Sequence, residues 1–195
     1  MDLVTILISR EAIAAYVTIA GVLIAMIGVL IGYITYKFNK KQLKQNQLSE
    51  VIKSLNHPLH REARKVIYDH YDQKQISNIS FQLLEIDRNQ FSEYEAEAKD
   101  ATIEIAKNIV RSDLNHVGTL VHHKMIEVKV FLEEYWWIIL KCWHILEDDI
   151  QERRNQKNGI SNYMINFEEL KIKAENFAKK NYSDDWENFQ KSFKK

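Results

Sequence analysis

The sequence predicts an all-α protein, with one N-terminal transmembrane helix followed by a helical-bundle cytoplasmic domain. Three observations carry that expectation. Residues Ala12 to Tyr36 are 25 consecutive positions without a charged side chain, more than the roughly 20 apolar residues that cross a bilayer's hydrocarbon core. Beyond them, Pro58, Gly118 and Gly159 are the only prolines and glycines in the chain, so helix breakers are scarce. Apolar residues then recur three and four apart through most of the remainder, the spacing of one helix face.

Residues 1–11 read as a short N-terminal tail and 12–36 as the membrane helix. A cleaved signal peptide has a basic start, an apolar stretch of about 7–15 residues and a small-residue cleavage site. Here Asp2 and Glu11 accompany Arg10, and lysines stand where cleavage would fall. An uncleaved, single-pass anchor in the cell membrane is therefore expected. Lys37, Lys40, Lys41 and Lys44 follow the run, against Arg10 before it, which places the C-terminal part in the cytoplasm by the positive-inside rule. Near anionic lipid such lysines contribute roughly 1 kcal/mol each, so the bilayer surface is an expected partner. Tyr16, Tyr33 and Tyr36 suit the headgroup regions at the two ends.

The anchor is also patterned. Ala14, Thr18, Gly21, Ala25, Gly28, Gly32 and Thr35 succeed one another at steps of four and three, which keeps them on one helix face. Every member is small, and Gly28 with Gly32 forms a GxxxG. Small residues let membrane helices approach closely and associate, so the stripe predicts a homo-oligomer or contact with another membrane protein. Glycine and alanine are also simply frequent in membrane helices, which leaves the partner open.

Behind the anchor, 37–56 reads as a juxtamembrane helix continuing the membrane helix, with Leu48, Val51, Ile52, Leu55 and Leu59 at helical spacing. Residues 57–195 form one helical cytoplasmic domain, a size that suits a single core. Asn56 as N-cap and Pro58 in the first turn open a helix to about residue 73, burying Ala63, Val66, Ile67 and Tyr71. Residues 74–91 mix apolar and polar side chains without a clear period. Phe91, Ser92 and Glu95 have the pattern of a hydrophobic staple and capping box. The helix they open presents Ala98, Thr102, Ile105, Ile109 and Ser112 on one face, continues through Leu114, Val117 and Val121, and ends near His123 and Lys124. The next, about 127–156, carries YWWIILKCWHIL, apolar almost all round and so buried on several sides. Lys141 and its short length argue against a second membrane crossing. Asn158 and Gly159 end that helix, Asn166 with Glu169 forms a second capping box, and Phe167, Leu170, Ala174 and Phe177 face inward. Ser183 caps a last helix with Trp186, Phe189 and Phe193. Neighbouring helices are expected to pack antiparallel through short connections.

The segments HREARKVIYDHYD, NHVGTLVHHKMIE, WWIILKCWHILEDDIQERR and NFEELKIKAENFA together resemble a family of uncharacterised prokaryotic membrane-anchored helical proteins, classed as a domain of unknown function. The resemblance covers roughly residues 50–180. Its pattern implies special positions at Arg64, Gly118 (in a turn), Trp143, Ile150, the pair Arg153 and Arg154, and Phe167 with Glu168. Where the family pattern has a glycine soon after Gly118, this chain has Lys124. The resemblance implies the architecture and no activity.

The residues offer little catalytic chemistry. Formal charge is zero, with 27 basic and 27 acidic residues, which gives no electrostatic case for nucleic acid. The single Cys142 excludes an internal disulfide and any cysteine-rich zinc site, and within an apolar helix it is a poor nucleophile. His57 and His60, His122 and His123, and His144 near Glu147 and Asp148 invite a metal, but no Glu-x-x-His or His-Glu-x-x-His occurs. Surface or hydrogen-bonded histidines are the expectation, with no cofactor. Arg64, Arg111, Arg153 and Arg154 are expected in internal salt bridges rather than an anion pocket. The function expected is protein contact or self-association at a membrane; the alternative is a small-molecule sensor or enzyme using a pocket between helices.

Overall fold

The computed structural model describes the backbone of residues 3–72 and 95–193, and the side chains of residues 15–72 and 102–193. Residues 74–91, the start at Phe91 and Ser92, and the side chains of Ala14 and Ala98 lie outside these. Six helices and no strand occur among the described residues: α1 (Leu3–Leu55), α2 (Pro58–Tyr71), α3 (Glu95–His122), α4 (Val128–Asn155), α5 (Ile165–Asn181) and α6 (Ser183–Phe193). The all-helical architecture with a long apolar N-terminal helix is as the sequence predicts.

The chain divides into two compact units, Met1–Leu43 and Lys44–Lys195. In the first, side chains from Ala15 to Leu43 are all exposed. The apolar stretch of α1 has a mean hydropathy of 2.5 with none of it buried, so this helix is long and apolar enough to cross a membrane. In the second unit the last turns of α1 join the core through Leu48, Val51 and Leu55.

The core of the second unit is built around α4. Phe131, Ile139, Cys142, Leu146 and Ile150 are completely buried, in keeping with an apolar stretch that has no polar side. α5 packs against both α3 and α4, α2 packs on α3, and α6 on α5. Ion pairs joining Glu104 and Arg111 of α3 to Arg153 and Asp149 of α4 fix those two helices antiparallel. Trp136 lies 5.8 Å from the Tyr182 ring, and the half-exposed Trp137 meets Phe189 edge-on at 4.8 Å.

Several local details differ from the sequence expectation. His57, not Asn56, caps α2, accepting from the Leu59 N–H at 3.4 Å. Tyr71 is only half-buried, because its hydroxyl meets His144 Nε2 at 2.9 Å. The inward face of α3 is Ile103, Ala106, Val110, Leu114, Val117 and Val121, with Thr102 and Arg111, whereas Ile105 and Ser112 are exposed and Ile109 half-buried. A small alanine and a charged arginine occupy that face, so hydropathy pointed to the isoleucines beside it. On α5, Ala178 is buried and Phe177 only partly.

The end of α3 is a Schellman motif: Met125 N–H bonds Leu120 C=O at 2.8 Å and Lys124 N–H bonds Val121 C=O at 3.1 Å. This requires Lys124 to adopt φ 57°, a left-handed conformation that costs an L-residue roughly 1–2 kcal/mol and glycine almost nothing. Lys124→Gly is therefore expected to stabilise the protein by about 1 kcal/mol after glycine's larger unfolded-state entropy is deducted. Equilibrium denaturation of the two proteins checks this, with a loss of stability as the contrary result.

Candidate functional site

The polar residues of the second unit collect where α3, α4 and α5 meet. Gly118 stands inside α3, not in a turn, with an ordinary negative φ. A Cβ there would lie 2.1 Å from Asn166 O and 2.4 Å from its carbonyl carbon. Only a glycine lets the start of α5 approach so closely. Around it, Asn115 Oδ1 accepts from the Phe167 N–H at 3.3 Å, which caps α5 from a neighbouring helix. Asn166 Nδ2 donates to Thr119 Oγ1 at 2.9 Å, and Thr119 donates to Asn115 O at 2.9 Å. The capping box expected of Asn166 and Glu169 does not form, since the N-cap of α5 is Met164 at φ 57°, two residues before Asn166. Glu169 pairs with His122 at 2.9 Å.

On the other side of this joint, Trp143 meets Phe167 edge-on at 5.1 Å. Arg154 donates through Nε to Tyr163 O at 2.8 Å and pairs with Glu168 at 2.9 Å. Arg111 has no exposed side-chain surface and contacts Asp149 and Glu104. Arg153 pairs with the same two carboxylates, and Lys107 lies 3.7 Å from Asp149. Three cations thus share two carboxylates, with Arg111 fully desolvated. Internal salt bridges, as expected from the sequence, account for Arg111, Arg153 and Arg154.

Arg64 stands apart from the joint. Its Nη2 donates to Leu55 O at 2.7 Å, satisfying a carbonyl that the end of α1 leaves open. Nearby His60 contacts Asp113, whose carboxyl is held above its usual range by burial, an effect that His60 partly offsets. Cys142 is buried, its thiol pushed by burial up to about 11, and Tyr68 OH lies 3.3 Å away. Burial likewise raises Tyr68. Neither group is prepared for nucleophilic work. No cluster of three or more histidine, cysteine, aspartate or glutamate side chains suited to a metal occurs among the described residues.

The sequence-derived positions thus fall into three places. Gly118, Trp143, Ile150, Arg153, Arg154, Phe167 and Glu168 converge on the α3–α4–α5 joint or the core beside it, and Arg64 ties α1 to α2. In the first unit, Thr18, Gly21, Ala25, Gly28, Gly32 and Thr35 are exposed, and nothing lies within 4 Å of a Cβ placed on any of the three glycines. Lys37, Lys40 and Lys41 are also exposed, with Lys37 Nζ 5.4 Å from the Tyr33 ring centre, while Lys44 is half-buried. Sequence reading missed Asn115, Thr119 and Asp149; Asn115 and Thr119 flank Gly118 at helical spacing, which was the available signal.

The fold and joint define a class: a helical domain following one helix long and apolar enough to span a membrane, with its polar groups gathered where α3, α4 and α5 meet. The chain belongs to the family described as Domain of unknown function (DUF4760), which matches residues 18–173. No curated protein matches it, and no solved structure does.

Two substitutions at the joint have defined outcomes. Gly118→Ala is expected to destabilise by about 2–4 kcal/mol, because backbone atoms must move apart; a change under about 0.5 kcal/mol in denaturation would contradict the close approach. Asp149→Ala is expected to cost about 3–5 kcal/mol by stranding Arg111, against much less for Arg111→Met, which removes the buried charge itself. Equal losses in thermal unfolding would refute that ordering.

Proposed function

We propose that this protein is a single-pass protein of the cell membrane, crossing through residues 12–36, with residues 37–56 as a juxtamembrane helix and 57–195 as a helical domain on the cytoplasmic side. It works through protein contacts, chiefly self-association of its membrane helices, or contact with another membrane protein, along Ala14, Thr18, Gly21, Ala25, Gly28, Gly32 and Thr35. The observation that carries this reading is the wholly exposed apolar stretch of α1, which no part of the described chain covers. In water it would be an aggregation site; in lipid it is the expected state of a spanning helix.

Lys37, Lys40, Lys41 and Lys44 support the orientation by the positive-inside rule and give the bilayer surface a positive partner. The open space at Gly21, Gly28 and Gly32 supports close helix contact. A small-molecule sensor is the second reading. It is favoured by a groove of about 480 Å³ lined by Asn46, Gln47, Glu50, Ser54 and His116, where the buried Gln47 Oε1 has no hydrogen-bond partner. It requires a saturable ligand whose binding Gln47→Leu abolishes.

With Ile at Gly21, Gly28 and Gly32, association in vesicles, measured by energy transfer between labelled copies, is expected to fall at least tenfold. Unchanged association would remove the stripe from the mechanism.

A further inference from the structure

An open groove of about 520 Å³ runs between the start of α4 and the end of α5. Val128, Leu132 and Phe177 give it an apolar floor, and Lys129, Lys173 and Lys180 line it, with no carboxylate among its lining residues. All three lysines are exposed, and none forms an ion pair among the described residues. Helix dipoles account for Lys180 at the end of α5 only. Lys173 lies in the middle of α5, and Lys129 lies in the first turn of α4, where a cation is unfavourable.

The same chain carries the complementary surface. Asp184, Asp185 and Glu187 are exposed on α6 and form no ion pair with a cation among the described residues. Asp184 and Glu187 are three apart and share a face. Lys173 and Lys180 are seven apart on α5, about 10.5 Å along its axis. α6 follows the groove directly in the chain, only Tyr182 separating it from α5. Each acidic helix therefore lies beside a basic groove that it does not fill.

From this arrangement we infer that the groove is a docking site for α6 of a second copy of this chain. A two-fold arrangement pairs each groove with the partner's α6, so the contact forms twice and the groove lysines meet Asp184 and Glu187 on each side. The apolar floor supplies desolvated area, and the charges supply register. The inference rests on the self-association proposed above and names the domain surface that takes part in it.

The test uses full-length protein in two forms, one of natural isotope content and one uniformly labelled with nitrogen-15, reconstituted together into phosphatidylcholine vesicles. A carbodiimide then joins lysines to carboxylates in direct contact. Expected are peptides linking one light and one heavy copy between Lys129, Lys173 or Lys180 and Asp184, Asp185 or Glu187. Links within single copies only, or none at these residues, overturn the inference. Association is read separately by energy transfer between N-terminal fluorophores. Lys173→Glu with Lys180→Glu, and Asp184→Lys with Glu187→Lys, are each expected to weaken it at least tenfold, and the chain carrying all four to recover it. Unchanged association in either pair, or no recovery, also overturns it. Wild-type association without mixed links leaves the anchor reading standing and removes only the groove; absence of association removes both.

Discussion

The second unit depends on one missing atom. α5 reaches α3 at a point where any side chain on residue 118 would occupy the space of Asn166's backbone carbonyl. Because α5 sits so close, Asn115 can cap it, Asn166 can reach Thr119, and Phe167 can meet the edge of Trp143. Those contacts set the α5 register against α4, and so the pairing of Arg154 with Glu168. A glycine within a helix costs roughly 1 kcal/mol in propensity. The loss is offset by a joint in which two helices satisfy one another's polar groups.

The charged cluster further along α3, toward its N-terminus, has a different balance. Burying Arg111 costs several kcal/mol of solvation, and Asp149 and Glu104 compensate it only as a set, together with Arg153 and Lys107. Such a network contributes little net stability over an apolar substitute, but it penalises any slip of α4 along α3. A slip by one turn would move Asp149 away from Arg111 and leave a buried charge unpaired.

Helix type and placement were legible among the described residues because period and breakers agree: Pro58 opens α2, Lys124 follows the end of α3, and Gly159 lies in the turn after α4. Packing faces were legible where they are purely apolar, as in α4. They were misread in α3, whose inward stripe contains Ala106 and Arg111, because burial of that arginine depends on Asp149, which α4 supplies from a distant part of the sequence. The cap of α5 was misread for a related reason. Asn166 has the right spacing for a local capping box, yet Asn115 takes that role from another helix. Gly118 could be singled out, but its purpose appears only when α5 lies against it.

Cys142 is the only thiol in the chain, and it sits at the centre of α4 with no exposed surface. Burial pushes its thiol up, so it stays protonated at neutral pH even before access is considered. Oxidants and alkylating reagents can reach it only when the helices around α4 separate. The rate at which this sulfur is modified therefore clocks the opening of the domain core, a built-in reporter of transient unfolding that needs no introduced label.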